Sequence, residues 1–114
     1  MVLQLDLSNN QLCGLYRDGD GTYTAEGIAA IADALRVNGA LTVTNLLGNQ
    51  LDAESAKMLA EVAKQKGMSL CGIQRDQTTA DFRGKSLKPP DAILLVSDFS
   101  QVVVTGALTE VIAF

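Results

Sequence analysis

Two segments of this chain share one apolar template and end in the same three residues, and this internal repeat constrains the fold more than any other feature. Residues 2–12 place apolar groups at Val2, Leu5, Leu7 and Leu12, with an asparagine at Asn10. Residues 41–51 place them at Leu41, Leu46 and Leu51, with Asn49 in the matching position. Thr44 departs from the template where Leu5 obeys it. A weaker third copy covers residues 77–87, with Ala80, Phe82 and Leu87 in register and Lys85 in the asparagine's place. A fourth begins at Leu108 and reaches Phe114.

Helical patterns lie between the copies. Ile28, Ile31, Ala32 and Leu35 follow the spacing of one helix face, with Thr24 as an expected N-cap and Asn38-Gly39 as a stop. Asp52 is placed to cap a second helix whose apolar face is Ala56, Leu59, Ala60 and Ala63, ended by Gly67. Pro89-Pro90 precede a third over residues 91–99. Strand, turn, helix and turn thus recur, the pattern of βα repeats. Within a strand of period two, Leu5 and Leu7 are expected to face inward while Gln4, Asp6 and Ser8 face outward. An asparagine at the strand exit both donates and accepts, so Asn10 and Asn49 are the expected structural turn residues. Lysine cannot accept a hydrogen bond, so the turn at Lys85 is expected to be built differently.

The Leu-x-Leu-x-x-Asn-x-Leu strand, followed by Gly27-Ile28-Ala29-Ala30-Ile31-Ala32-Asp33-Ala34-Leu35-Arg36, resembles the ribonuclease-inhibitor-like subfamily of leucine-rich repeats. The subfamily also occurs in NOD-like receptor sensor regions and in the Ran GTPase-activating protein. The resemblance is strongest over residues 2–66. It implies an α/β fold, a right-handed βα solenoid (a horseshoe segment) with short parallel strands on the concave side and helices on the convex side. It implies one domain over residues 1–114, divided as 1–39, 40–67, 68–107 and a partial 108–114, with a loop insertion at 13–23. It also implies that outward strand positions grip a protein partner. Here those positions are Gln4, Asp6, Ser8, Val43, Asn45, Leu47, Thr79, Asp81 and Arg83.

The spacing departs from the family. The step from Asn10 to Asn49 is 39 residues, against about 20–29 for such repeats. An echo links Leu12-Cys13-Gly14-Leu15-Tyr16-Arg17-Asp18 to Leu70-Cys71-Gly72-Ile73-Gln74-Arg75-Asp76, suggesting a larger duplicated unit. With a strand at its start and a partial repeat at its end, the chain reads as a fragment or shortened product of a longer array.

Composition narrows the chemistry. Aromatic residues are 4%, so the core must be aliphatic, and the net charge of −4 argues against nucleic-acid binding. There is no histidine, which removes the commonest general base and metal ligand. Cys13 and Cys71 alone cannot make a zinc site, and both are read as reduced, small packing residues of a cytoplasmic chain. No leader is evident at Met1, and the longest aliphatic run, residues 92–96, is too short to span a bilayer.

Three motifs invite stronger readings. Asp18-Gly19-Asp20-Gly21 echoes a calcium loop, but Tyr16 and Gly27 then occupy the first and twelfth places where oxygen ligands are needed. Gly84-Lys85-Ser86 echoes a phosphate-binding loop, but Thr79 replaces the earlier glycine and the prolines interrupt the required helix. Asp6 and Asp81 could pair as carboxylates, yet two strand spacings would hold them roughly 10 Å apart. No cofactor, metal or catalytic residue is expected. The expected function is a non-catalytic protein–protein interaction scaffold. The alternative is a structural fragment that self-associates through uncapped ends, at residues 102–104 or 108–114, with no activity of its own.

Overall fold

The computed structural model describes residues 4–13, 21, 24–85 and 87–112. The aspartates of the calcium-loop echo, most of the 13–23 insertion and Ser86 lie outside them. Strand β1 covers Gln4–Asp6, helix α1 Glu26–Val37, β2 Val43–Asn45, α2 Ala53–Lys66, β3 Thr79–Asp81, α3 Pro89–Phe99, α4 Val102–Thr105 and β4 Glu110–Ile112. Among the described residues, no helix is long and apolar enough to cross a membrane.

Local chemistry sets the helix ends. In α2 the Asp52 carboxylate accepts the Ser55 amide at 2.7 Å, satisfying one of the donors that the first turn leaves open. Gly67 ends the helix at φ 67°, a left-handed conformation that costs glycine little, and its amide donates to Ala63 at 2.8 Å. Helix α1 starts from Ala25, one residue after the expected cap, while the Thr24 hydroxyl accepts the Glu26 amide at 3.3 Å. Helix α3 starts earlier than expected, because Pro89 and Pro90 occupy its first turn, where a missing N–H costs nothing. The Asp91 carboxylate anchors that turn by accepting the amides of Lys88 at 2.8 Å and Gly48 at 3.2 Å.

The apolar stripes converge on one aliphatic core. Ile28, Ala32 and Leu35 of α1 meet Ala56, Leu59 and Ala63 of α2, and Leu94 of α3 closes the cluster from the far side. Helix α2 packs against both α1 and α3. Beneath the helices, β1 and β2 run parallel, with Gln4 opposite Val43 and Asp6 opposite Asn45. Strands β3 and β4 form a second parallel pair, with Thr79 opposite Glu110.

This arrangement corrects the expected solenoid. The strands do not line up as one concave sheet; they form two separate two-stranded sheets. The segment between them, residues 69–72, makes isolated bridges to β2, Val43 with Ser69 and Asn45 with Cys71. The amides of Leu70 and Cys71 donate instead to the Asp98 carboxylate of α3, at 2.8 and 3.2 Å, and the Ser69 hydroxyl joins them at 2.6 Å. Gly72 then bends the chain at φ 79°, so no ladder is handed on to β3. The radius of gyration, 13.4 Å, equals the roughly 13 Å expected of a globule of this length. Among the described residues the chain is a small α/β globule of four helices and two short parallel sheets, not a repeat solenoid.

Two inward expectations also change. Leu46 is fully buried and Leu7 half-buried, but Leu5 is 40% exposed, since no described strand covers the outer side of β1. Thr44, the apparent departure from the leucine template, is buried, and its hydroxyl donates to the Ser69 carbonyl at 2.9 Å.

Candidate functional site

Each of the first three strands ends in an Asx residue, and each of these closes its own turn. Asp6 accepts the Ser8 amide at 2.9 Å, Asn45 accepts the Leu47 amide at 3.1 Å, and Asp81 accepts the Arg83 amide at 3.0 Å. A short polar side chain that captures the amide two residues on stops a strand and starts a turn. The three residues read from the sequence as partner contacts therefore also shape the backbone. The shared signal, Asp or Asn two residues before the turn, is present in the sequence but was not read from it.

The asparagines at the bends bind across the strands. Asn49 is fully buried, and its Nδ2 donates to the carbonyls of Leu7 and Leu46, both at 3.0 Å. Its Oδ1 accepts the Asn10 amide at 3.2 Å. Asn10 is exposed, and its Nδ2 donates to the Leu7 carbonyl at 2.9 Å. At the third turn Lys85 takes no such part. There Arg83 clasps Asp81 through Nε and Nη2, the latter at 2.8 Å, and Gly84 supplies the positive φ of 71°.

The nine expected contact residues divide into groups. Gln4, Asp6, Thr79, Asp81 and Arg83 are exposed, while Ser8 and Asn45 are half-buried. Val43 and Leu47 are only 5% exposed each, which corrects their reading as outward contacts. Strand alternation stops at Asn45, so Leu47 follows the turn inward and joins the cluster containing Ile73, Ala80 and Phe82.

Two shallow clefts meet at Asn45 and Gly72. The larger, about 190 Å³, has Leu47, Ile73 and Phe82 in its floor and Ser8, Asp81 and Lys85 among its polar walls. The smaller, about 120 Å³, is lined by Gln4, Asp6, Val43 and Gln74, and the Gln74 amide donates to the Gln4 side-chain oxygen at 2.9 Å. The structure thus brings Gln4, Asp6, Ser8, Asn45 and Asp81 onto one surface, while Thr79 and Arg83 line neither cleft.

The charges on this surface are fixed. The Ser8 hydroxyl, with the Ser8 amide and Lys85, holds the Asp6 carboxyl below its ordinary range. The Arg83 guanidinium lowers Asp81 to about 2. Both remain anionic at neutral pH, so neither is available there as a proton donor. Burial and the neighbouring Asp98 push the Cys71 thiol well above its usual value, away from the thiolate a nucleophile requires. Among the described residues, no three acidic or cysteine side chains gather to hold a metal ion. The arrangement combines fixed charges with an apolar floor. Compared with protein-family profiles, curated proteins and solved structures, the chain shows no match.

Proposed function

We propose that the chain is a non-catalytic protein-binding module that contacts its partner through the strand-end surface centred on Asn45. The observation that carries this is the pair of clefts sharing Asn45 and Gly72, with an apolar floor beneath charged walls. Binding hot spots commonly consist of an anchor side chain seated in such a recess and ringed by polar contacts. Lys85 lies within electrostatic reach of both Asp6 and Asp81, so the surface carries both signs of charge and suits a mixed, polar peptide segment. The net charge of −4 disfavours nucleic acid as the partner. The proposal includes a cytoplasmic location, supported by the free, buried thiol of Cys71. It also includes a distant kinship with leucine-rich repeat proteins, supported by the Asn49 bend between β1 and β2, and no solenoid is part of it.

Photo-crosslinking tests the reading. A crosslinking amino acid at Thr79, exposed on β3 two residues before the cleft-lining Asp81, should capture a partner in a lysate of the source cell. The same group at Val37, 84% exposed at the end of α1, should not capture it. Competition by an Asp6→Lys, Asp81→Lys variant should be much weaker than by the unaltered protein. Equal capture from both positions, or equal competition by both proteins, would refute the assignment.

A further inference from the structure

On the helical side a groove of about 430 Å³ runs along the seam between α2 and α3, and none of its lining belongs to the strand-end clefts. From α2 it is lined by Lys57, Ala60, Glu61 and Lys64; from α3, by Ala92, Ile93, Val96 and Ser97. Small side chains at Ala60 and Ala92 give the groove depth. Val96, 65% exposed, is an aliphatic wall that nothing in the described chain covers. The volume falls within the roughly 300–1,000 Å³ typical of small-ligand sites, which are mostly apolar with a few placed polar groups.

Two further observations define what fits. Ser97 is 1% exposed, yet its hydroxyl has no hydrogen-bond partner among the described residues. A serine inside a helix ordinarily returns its hydroxyl to the carbonyl four residues earlier, and Ser97 does not. The rim, meanwhile, is cationic on balance. Lys57 and Lys64 stand two turns apart, about 10 Å along the axis, with Glu61 between them. None of the three takes part in an ion pair among the described residues.

We infer that this groove is a binding site for a small amphipathic carboxylate. Its apolar body lies against Ala60, Ala92 and Val96, and its carboxylate meets a rim ammonium and accepts a hydrogen bond from Ser97. An uncharged or cationic molecule of the same size would satisfy the apolar walls but not the rim.

Amide chemical-shift mapping with sodium octanoate as the probe, and octylamine as its charge-reversed control, tests the assignment. Octanoate should give saturable shifts confined to residues 57–64 and 92–97, and should bind about tenfold more tightly than octylamine. The surface double variant Lys57→Glu, Lys64→Glu should remove that preference while leaving the rest of the spectrum in place. Ser97→Ala, which deletes the unpartnered hydroxyl, should weaken octanoate several-fold without loss of folding, and Ala92→Phe should fill the groove. Equal affinity for the two probes, shifts centred on the strand-end clefts, or no saturable shifts would each overturn the inference. Its failure would leave the crosslinking result at Thr79 untouched, since the two surfaces share no residue.

Discussion

Asn49 reaches from the turn after β2 to the carbonyl of Leu7 beyond the end of β1, 3.0 Å away, and so ties two segments 42 residues apart in sequence. The same side chain accepts the Asn10 amide and donates to Leu46 in its own turn, all from a fully buried position. Replacing it with alanine leaves the Leu46 carbonyl and the Asn10 amide without their partner, each costing up to about 1–3 kcal/mol, and leaves the Leu7 carbonyl to Asn10 alone. Asn49→Ala is therefore expected to destabilise the fold by about 3 kcal/mol, read as a lower urea midpoint. Asn10→Ala, at an exposed site, should cost under about 1 kcal/mol. Equal losses for the two variants would show that Asn49 is not the main tie.

Gly72 occupies a left-handed conformation at φ 79°, and a Cβ there would stand 3.0 Å from the side-chain Nδ2 of Asn45. Alanine in that conformation costs about 1–2 kcal/mol through its backbone alone. Gly72→Ala is expected to lower stability by at least that amount and to move the Asn45 side-chain resonance, because both residues line the strand-end clefts. An unchanged Asn45 side-chain signal would contradict this.

Arg83 and Asp81 form an exposed clasp, and the guanidinium is what holds the carboxyl near 2. The folded chain binds that proton less tightly than an unfolded one, so the benefit exists above the ordinary carboxylate range and fades as pH falls toward 2. Carbon-detected titration should place Asp81 near 2 in the native protein. In Arg83→Gln it should move up toward the ordinary value of 3.8, with little change in overall stability at neutral pH.

Asp98 behaves in the opposite sense. Burial raises its pKa, and the hydrogen bonds from Leu70, Ser69 and Cys71 offset only part of that. The folded state therefore holds this proton more tightly than the unfolded state does. Between the ordinary 3.8 and the raised folded value, Asp98's contribution to stability declines as pH rises, and it is constant above that window. Melting temperature against pH should carry this slope in the unaltered protein. Asp98→Asn should lose it, while also being less stable at every pH, because an amide places a donor against the Ser69–Cys71 donors. A pH profile identical to the parent's would show that Asp98 is not its source.

Features written into neighbouring residues were readable before the structure. Asp52, the apolar face of α2 and Gly67 mark that helix from cap to stop, because capping chemistry is local. The parallel pairing of β1 with β2 follows from two matching templates and the asparagines that end them. What failed depended on distant partners. Nothing in the residues around Asp98 marks it as the acceptor of three donors from residues 69–71, a contact made only by folding. Leu47 read as outward because alternation was extended past Asn45, where the Asx turn ends it. The α2–α3 groove left no sequence signal, since alanines and valines on a helix face describe packing equally well.

The grip of Asp98 on residues 69–71 gives the molecule a single fate. The acceptor arrives only with α3, while its donors sit at the margin of the β1–β2 half, so neither side can come undone alone without stranding buried groups on the other. The protected amides of Leu70 and Cys71 should accordingly exchange with solvent at the pace of whole-chain opening, and a lesion in α3 should be felt as far away as β2.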